Sequence, residues 1–128
     1  MPEPRPGAKR QTGAVARAGE EAALAHLLAQ GLSLVARNWR CRLGEIDLVL
    51  EDGPALVFVE VKTRRSARFG TGAEAVGPAK QMRLRRLAAA FLRDHPRPDR
   101  PCRFDVTEVA PDGRGGWRVT WIPGAFGP

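Results

Sequence analysis

Gly44–Lys62 reads GEIDLVLEDGPALVFVEVK, and its patterning decides the fold. Glu51-Asp52-Gly53-Pro54 is a cluster of turn formers between two runs of β-formers, so the stretch is read as a hairpin. In the first arm, Glu45–Leu50, period-two alternation sets Ile46, Leu48 and Leu50 on one face and Glu45, Asp47 and Val49 on the other. The second arm, Ala55–Lys62, is apolar almost throughout, as in a central strand covered on both sides. Its charged residues, Glu60 and Lys62, come at the end and share a face. Counted back from the turn, Asp47 and Glu60 fall at similar heights on the two arms. Three charged groups therefore converge in apolar surroundings.

Upstream, Gly13 to about Gln30 carries apolar residues at helical spacing, with Gly31 as the stop. At ~100° per residue, Leu24 lies near +40°, Leu27 near −20° and Ala23 near −60° from Glu20, which therefore points into the apolar stripe. A carboxylate there needs a compensating cation or hydrogen bonds. Leu32–Arg40 is a first strand, and Arg42-Leu43-Gly44 turns into the hairpin. Downstream, Arg64–Gly77 is a basic loop, and Pro78 opens a basic amphipathic helix to about Asp94. His95-Pro96 ends it. Cys102–Val109 and Trp117–Ile122 are two more strands around an Asp112–Gly116 turn. The order αβββαββ predicts an α/β fold, a central mixed sheet flanked by helices.

The chain has 128 residues, a length that suits one domain with a real core. Residues 1–12, with three prolines and almost nothing apolar, are expected to be a disordered basic tail, and 13–128 the domain. The net charge is +7, and of 21 basic residues only Lys9, Lys62 and Lys80 are lysines. Arginine presents a planar fork of donors that suits phosphate, so a nucleic-acid partner is expected, although a basic surface also serves solubility alone. Cys41 and Cys102 stand apart without paired histidines, which argues against a zinc site or disulfide framework. No apolar run reaches ~18 residues and no signal core opens the chain, so no membrane partner and a cytoplasmic location are expected.

Two carboxylates a few ångströms apart repel, and a divalent oxygen-loving cation resolves this. Mg²⁺ (or Mn²⁺) takes one or two carboxylates, waters and substrate phosphate. Asp47 and Glu60 are the expected ligands, with Glu20 completing the acidic set and Lys62 assisting a nucleophilic water. The competing reading is a structural salt-bridge cluster. Glu45 points the same way as Asp47, to support the site or to pair with an arginine such as Arg42.

The spacing D-x12-ExK (Asp47, Glu60, Lys62), after a helix with an inward Glu, resembles the PD-(D/E)XK nuclease superfamily, Holliday-junction resolvases included. More closely, Gly19-Glu20, Asn38-Trp39-Arg40, Gly44–Leu48, Phe58–Arg64 and Arg103–Asp105 resemble the bacterial YraN-like family, over about residues 13 to 122. The superfamily's Pro before the Asp is absent, since Ile46 stands there. The resemblance implies the restriction-endonuclease-like fold, with Glu20, Asp47, Glu60 and Lys62 at the site positions. In many superfamily members a Gln on the second helix serves the site, and Gln81 matches it.

Arg64, Arg65 and Arg68 border the site and Lys80 opens the second helix, so phosphate contacts are expected there. Trp39 is a stacking or packing residue. Trp117 and Trp121 are read as packing or a dimer edge, and His26 and His95 as inert. The expected function is metal-dependent endonucleolytic hydrolysis of DNA phosphodiester bonds, branched or structured DNA included, with a homodimer suiting a two-fold substrate. The alternative is a nuclease fold that binds nucleic acid without cutting.

Overall fold

The computed structural model describes residues 13–65, 76–96 and 99–128. The expected tail, Arg68 and most of the basic loop lie outside them. The elements are α1 (Gly13–Ala29), β1 (Ser33–Cys41), β2 (Gly44–Asp52), β3 (Ala55–Thr63), α2 (Pro78–Asp94), β4 (Cys102–Pro111) and β5 (Trp117–Phe126). The order is αβββαββ, as expected. Boundaries differ by a few residues: β5 runs four residues past Ile122, with Gly124 at φ +60° allowing the chain to bend within it. The hairpin turn is tighter than expected, because Asp52 pairs with Ala55 and leaves only Gly53-Pro54 between.

The five strands form one mixed sheet in the order β1-β2-β3-β4-β5. All neighbours are antiparallel except β3 and β4, which are parallel. A parallel pair needs a crossover, and α2 lies in the connection. Each helix covers one face. On one, Ala23, Leu24 and Leu27 of α1 pack on Leu48, Leu50, Val57, Val59 and Val61. On the other, Leu84, Leu87, Ala88 and Phe91 of α2 pack on Val49, Leu56, Phe58, Phe104 and Val106. Central β3 is thus buried on both sides, which is why its apolar run is unbroken. Phe91 meets Trp39 and Phe58 edge-on, with centroids 5.3 and 5.8 Å away. Trp39 therefore packs in this core.

One expectation about the sheet fails, and the failure builds the site. Ile46 does not join Leu48 and Leu50 on the α1 side; it packs with Val49 in the α2 core. The alternation breaks at Asp47. The β2–β3 ladder stops at Leu48↔Val59, although the same register one step further would pair Asp47 with Glu60. Instead the Asp47 carboxylate stands in for backbone: its Oδ2 accepts the N–H of Val61 at 2.8 Å. Near this point β1 carries Asn38 at φ +51°, a left-handed conformation that Asn tolerates better than most residues. No helix among the described residues is long and apolar enough to cross a membrane.

Candidate functional site

Where β2 and β3 part, three carboxylates gather. Oxygens of Glu20, Glu45 and Asp47 lie within 4.8 Å of one another, a spacing at which one cation can touch all three. Glu20 arrives from α1. It is 7% exposed, in line with buried Ala23, Leu24 and Leu27, as the helical angles predict. The helix can come this close because residue 19 is glycine: a Cβ there would stand 2.1 Å from Thr63 Oγ1.

Each carboxylate is oriented by its own donor. Asn38 Nδ2 donates to Glu20 Oε1 at 3.0 Å. Arg40 Nε donates to Glu45 Oε2 at 2.6 Å, so Arg40 rather than Arg42 is the partner of Glu45. Val61 N–H holds Asp47. Orienting donors of this kind set the direction of a ligand's remaining lone pairs.

Glu60 is buried as well, and Lys80 Nζ of α2 lies 2.5 Å from its Oε2. Lys62 shares the α2 side with Glu60, and its register neighbour on β4 is Glu108. Arg64 donates to Glu108 Oε2 through Nε and Nη2, at 3.1 and 2.8 Å. Gln81 serves its own helix end, donating to the Val76 carbonyl at 2.9 Å. Arg65 is exposed. The structure thus brings Glu20 to Asp47, Lys80 to Glu60, and Arg64 to a carboxylate instead of open solvent.

The sequence alone leaves Glu45 between two roles and assigns none to Glu108, which is 2% exposed. Its signal was the one that found Glu20: an acid in phase with apolar positions, here Phe104 and Val106.

Of the tryptophans, Trp121 is a packing residue whose Nε1 donates to Asp105 Oδ2 at 2.8 Å, and Trp117 stays 36% exposed. His95 stacks on Phe91 at the end of α2. Cys41 and Cys102 are both free thiols, and burial pushes Cys102 up against the smaller opposing effect of Arg100.

The chain as a whole resembles other proteins. The profile of Uncharacterised protein family UPF0102 matches residues 19–109. A UPF0102 protein of Frankia alni is 52% identical over 119 residues, 93% of this chain and 99% of the relative. One from Symbiobacterium thermophilum is 54% identical over 112 residues, covering 88% and 95%. One from Pseudomonas entomophila is 47% identical over 111 residues, covering 86% and 90%. The matched region runs from Gly19, against which Thr63 packs, to the last paired residues of β3 and β4 (Thr63↔Val109), and the chain belongs to the UPF0102 family.

Proposed function

We propose that this protein is a metal-dependent phosphodiesterase of the PD-(D/E)XK nuclease type, hydrolysing DNA, branched or structured forms included. The observation that carries the reading is the trio of Glu20, Glu45 and Asp47 at the point where the sheet opens. Its donors are all carboxylate oxygens, the set that hard divalent cations such as Mg²⁺ or Mn²⁺ select. Three carboxylates this close repel in a low-dielectric setting, and a cation removes the repulsion.

Glu20, Glu45 and Asp47 are the residues that would hold the ion, with Glu60 across the parted strands. A bound divalent ion supplies Lewis-acid polarisation of a phosphoryl oxygen and a more acidic water. Asn38, Arg40 and the Val61 N–H keep the carboxylates aimed. Lys62 supplies positive charge for the phosphate oxygens in the transition state. Lys80 neutralises Glu60 at the N-terminal end of α2, and exposed Arg83, Arg86 and Arg93 carry basic charge along the helix to its last turn. That surface, with the net charge of +7, supports a polyanionic substrate.

The test is cleavage of junction, flap, single-stranded and duplex DNA by purified protein with Mg²⁺ or Mn²⁺. Wild type is expected to cut at least one substrate and Lys62→Ala to lose about 10²-fold or more in rate. Identical background cleavage by the two proteins overturns the enzyme reading. Salt-dependent binding without any metal response favours the non-cutting module.

A further inference from the structure

A cleft opens beside the end of β3, where Arg64 and Arg65 follow Lys62 and Thr63. It has a volume of about 390 Å³ and is lined by Val15, Arg64, Arg65, Pro111 and Trp117, within the ~300–1,000 Å³ span of ligand pockets. The first turns of α1 form one wall, the end of β3 another, and the mouth of the β4–β5 hairpin the third.

Two walls are anchored. Pro111 and Trp117 are register partners where the hairpin closes. Asp112 Oδ1 accepts the N–H groups of Arg114 and Gly116 at 2.7 and 3.0 Å, and Asp112 N–H bonds the Gly116 carbonyl at 3.1 Å. The turn therefore presents the 36%-exposed Trp117 from a fixed base. Arg64 is fixed twice, by its N–H on the Val109 carbonyl at 2.7 Å and by its guanidinium on Glu108. Because Glu108 is the register neighbour of Lys62, the cleft and the Lys62 end of the site share a wall.

The lining combines an aromatic face, two small apolar side chains and two guanidinium groups. A base needs the first, its sugar the second and its phosphate the third. In a duplex, both faces of a base are covered by its neighbours in the stack. Away from a duplex end, only an unpaired base can offer a face to Trp117.

We propose that this cleft holds one unpaired nucleotide of a single-stranded nucleic acid, its base stacked on Trp117 and its phosphate at Arg65. The inference rests on the phosphodiesterase reading and adds the strandedness of the substrate: a single strand, or a single-stranded arm, enters beside Lys62.

The experiment measures binding of the full chain to labelled DNA and RNA oligonucleotides about 12 nucleotides long, single-stranded and blunt duplex, in chelator. Single strands are expected to bind more tightly than duplexes. Trp117→Ala should weaken single-strand binding about tenfold, leave duplex binding unchanged, and be rescued by Trp117→Phe. Arg65→Gln should lower the salt slope of single-strand binding by about 0.7. Tryptophan emission should be quenched on binding, and Trp117→Phe should lose that quench, a readout that survives if the alanine variant does not fold.

Unchanged single-strand affinity in Trp117→Ala, equal losses on single strand and duplex, or a full quench in Trp117→Phe each overturns the cleft. Trp117-independent binding with Lys62-dependent cleavage intact sinks the cleft alone. Trp117-dependent binding without cleavage sinks the enzyme reading alone.

Discussion

Two of the regions where this molecule buries carboxylates, at Asp105 and at Asp47, treat them in opposite ways. On β4, Asp105 is closed off. Its Oδ1 accepts Arg103 Nε at 2.8 Å and the Gly124 N–H at 2.9 Å. Its Oδ2 accepts Arg103 Nη2 at 3.0 Å and Trp121 Nε1 at 2.8 Å. Arg103 also reaches Asp52, at 3.0 Å, so the clamp ties the hairpin turn to β4 and β5. The hydrogen bond with Asp105 raises the Arg103 guanidinium still further above its ordinary value, burial working against it. At Asp47, by contrast, three carboxylates are packed together, held by donors that include the Asn38 amide, the Arg40 guanidinium and the Val61 N–H. A buried carboxylate matched by a bidentate arginine and two N–H donors is structure. Carboxylates whose oxygens crowd within 4.8 Å of one another repel instead, which sets this group apart from the clamp at Asp105.

The largest effect that separates the two regions is expected at Asp105. Asp105→Asn keeps the shape but exchanges an acceptor for a donor facing other donors. Breaking a buried pair of this kind costs about 3 kcal/mol, read by urea denaturation and independent of divalent metal. A loss under about 1 kcal/mol would mean that Asp52 alone satisfies Arg103 and that the clamp is redundant.

Asp47→Asn should behave in the opposite sense. The asparagine oxygen still accepts the Val61 N–H while one of three repelling charges disappears, so metal-free stability should hold or rise. What should vanish is stabilisation by Mg²⁺ or Mn²⁺, which for wild type at about 100 times Kd amounts to about 2.7 kcal/mol. Thermal melts of both proteins with and without metal measure this. A metal-dependent shift of equal size in the variant would mean that the trio is a salt-bridge cluster like the other.

The smallest effect concerns an exposed carboxylate in neither group. The N–H groups of Arg114 and Gly116 hold Asp112 below its ordinary value. A lowered folded-state pKa means stability present above the unfolded value and lost as pH falls through the folded one. Wild type should therefore lose its slight advantage over Asp112→Ala as the pH drops below about 4, measured by denaturation at stepped pH. A constant difference down to pH 2 would place the Asp112 contribution outside its ionisation.

Much of this was legible in Gly44–Lys62. The hairpin and the double burial of β3 follow from a turn signal and a period of two. The inward Glu20 follows from ~100° per residue. These are local rules of chain geometry, written within a few residues of one another, and tertiary packing respected them. The break in alternation at Asp47 was not legible, because it depends on a side chain displacing backbone from a ladder and on Asn38 in a strand several residues away.

By itself, then, the sequence determined the element order, the burial of the central strand and the inward direction of Glu20. Tertiary structure alone decided the pairings: Glu45 with Arg40, Glu60 with Lys80, Arg64 with Glu108, Asp105 with Arg103 and Trp121. An amphipathic pattern says which side of an element is buried, because that depends on the period of its own backbone. Which cation meets which buried carboxylate depends on ångström distances between elements up to 44 residues apart, and only the assembled sheet supplies those.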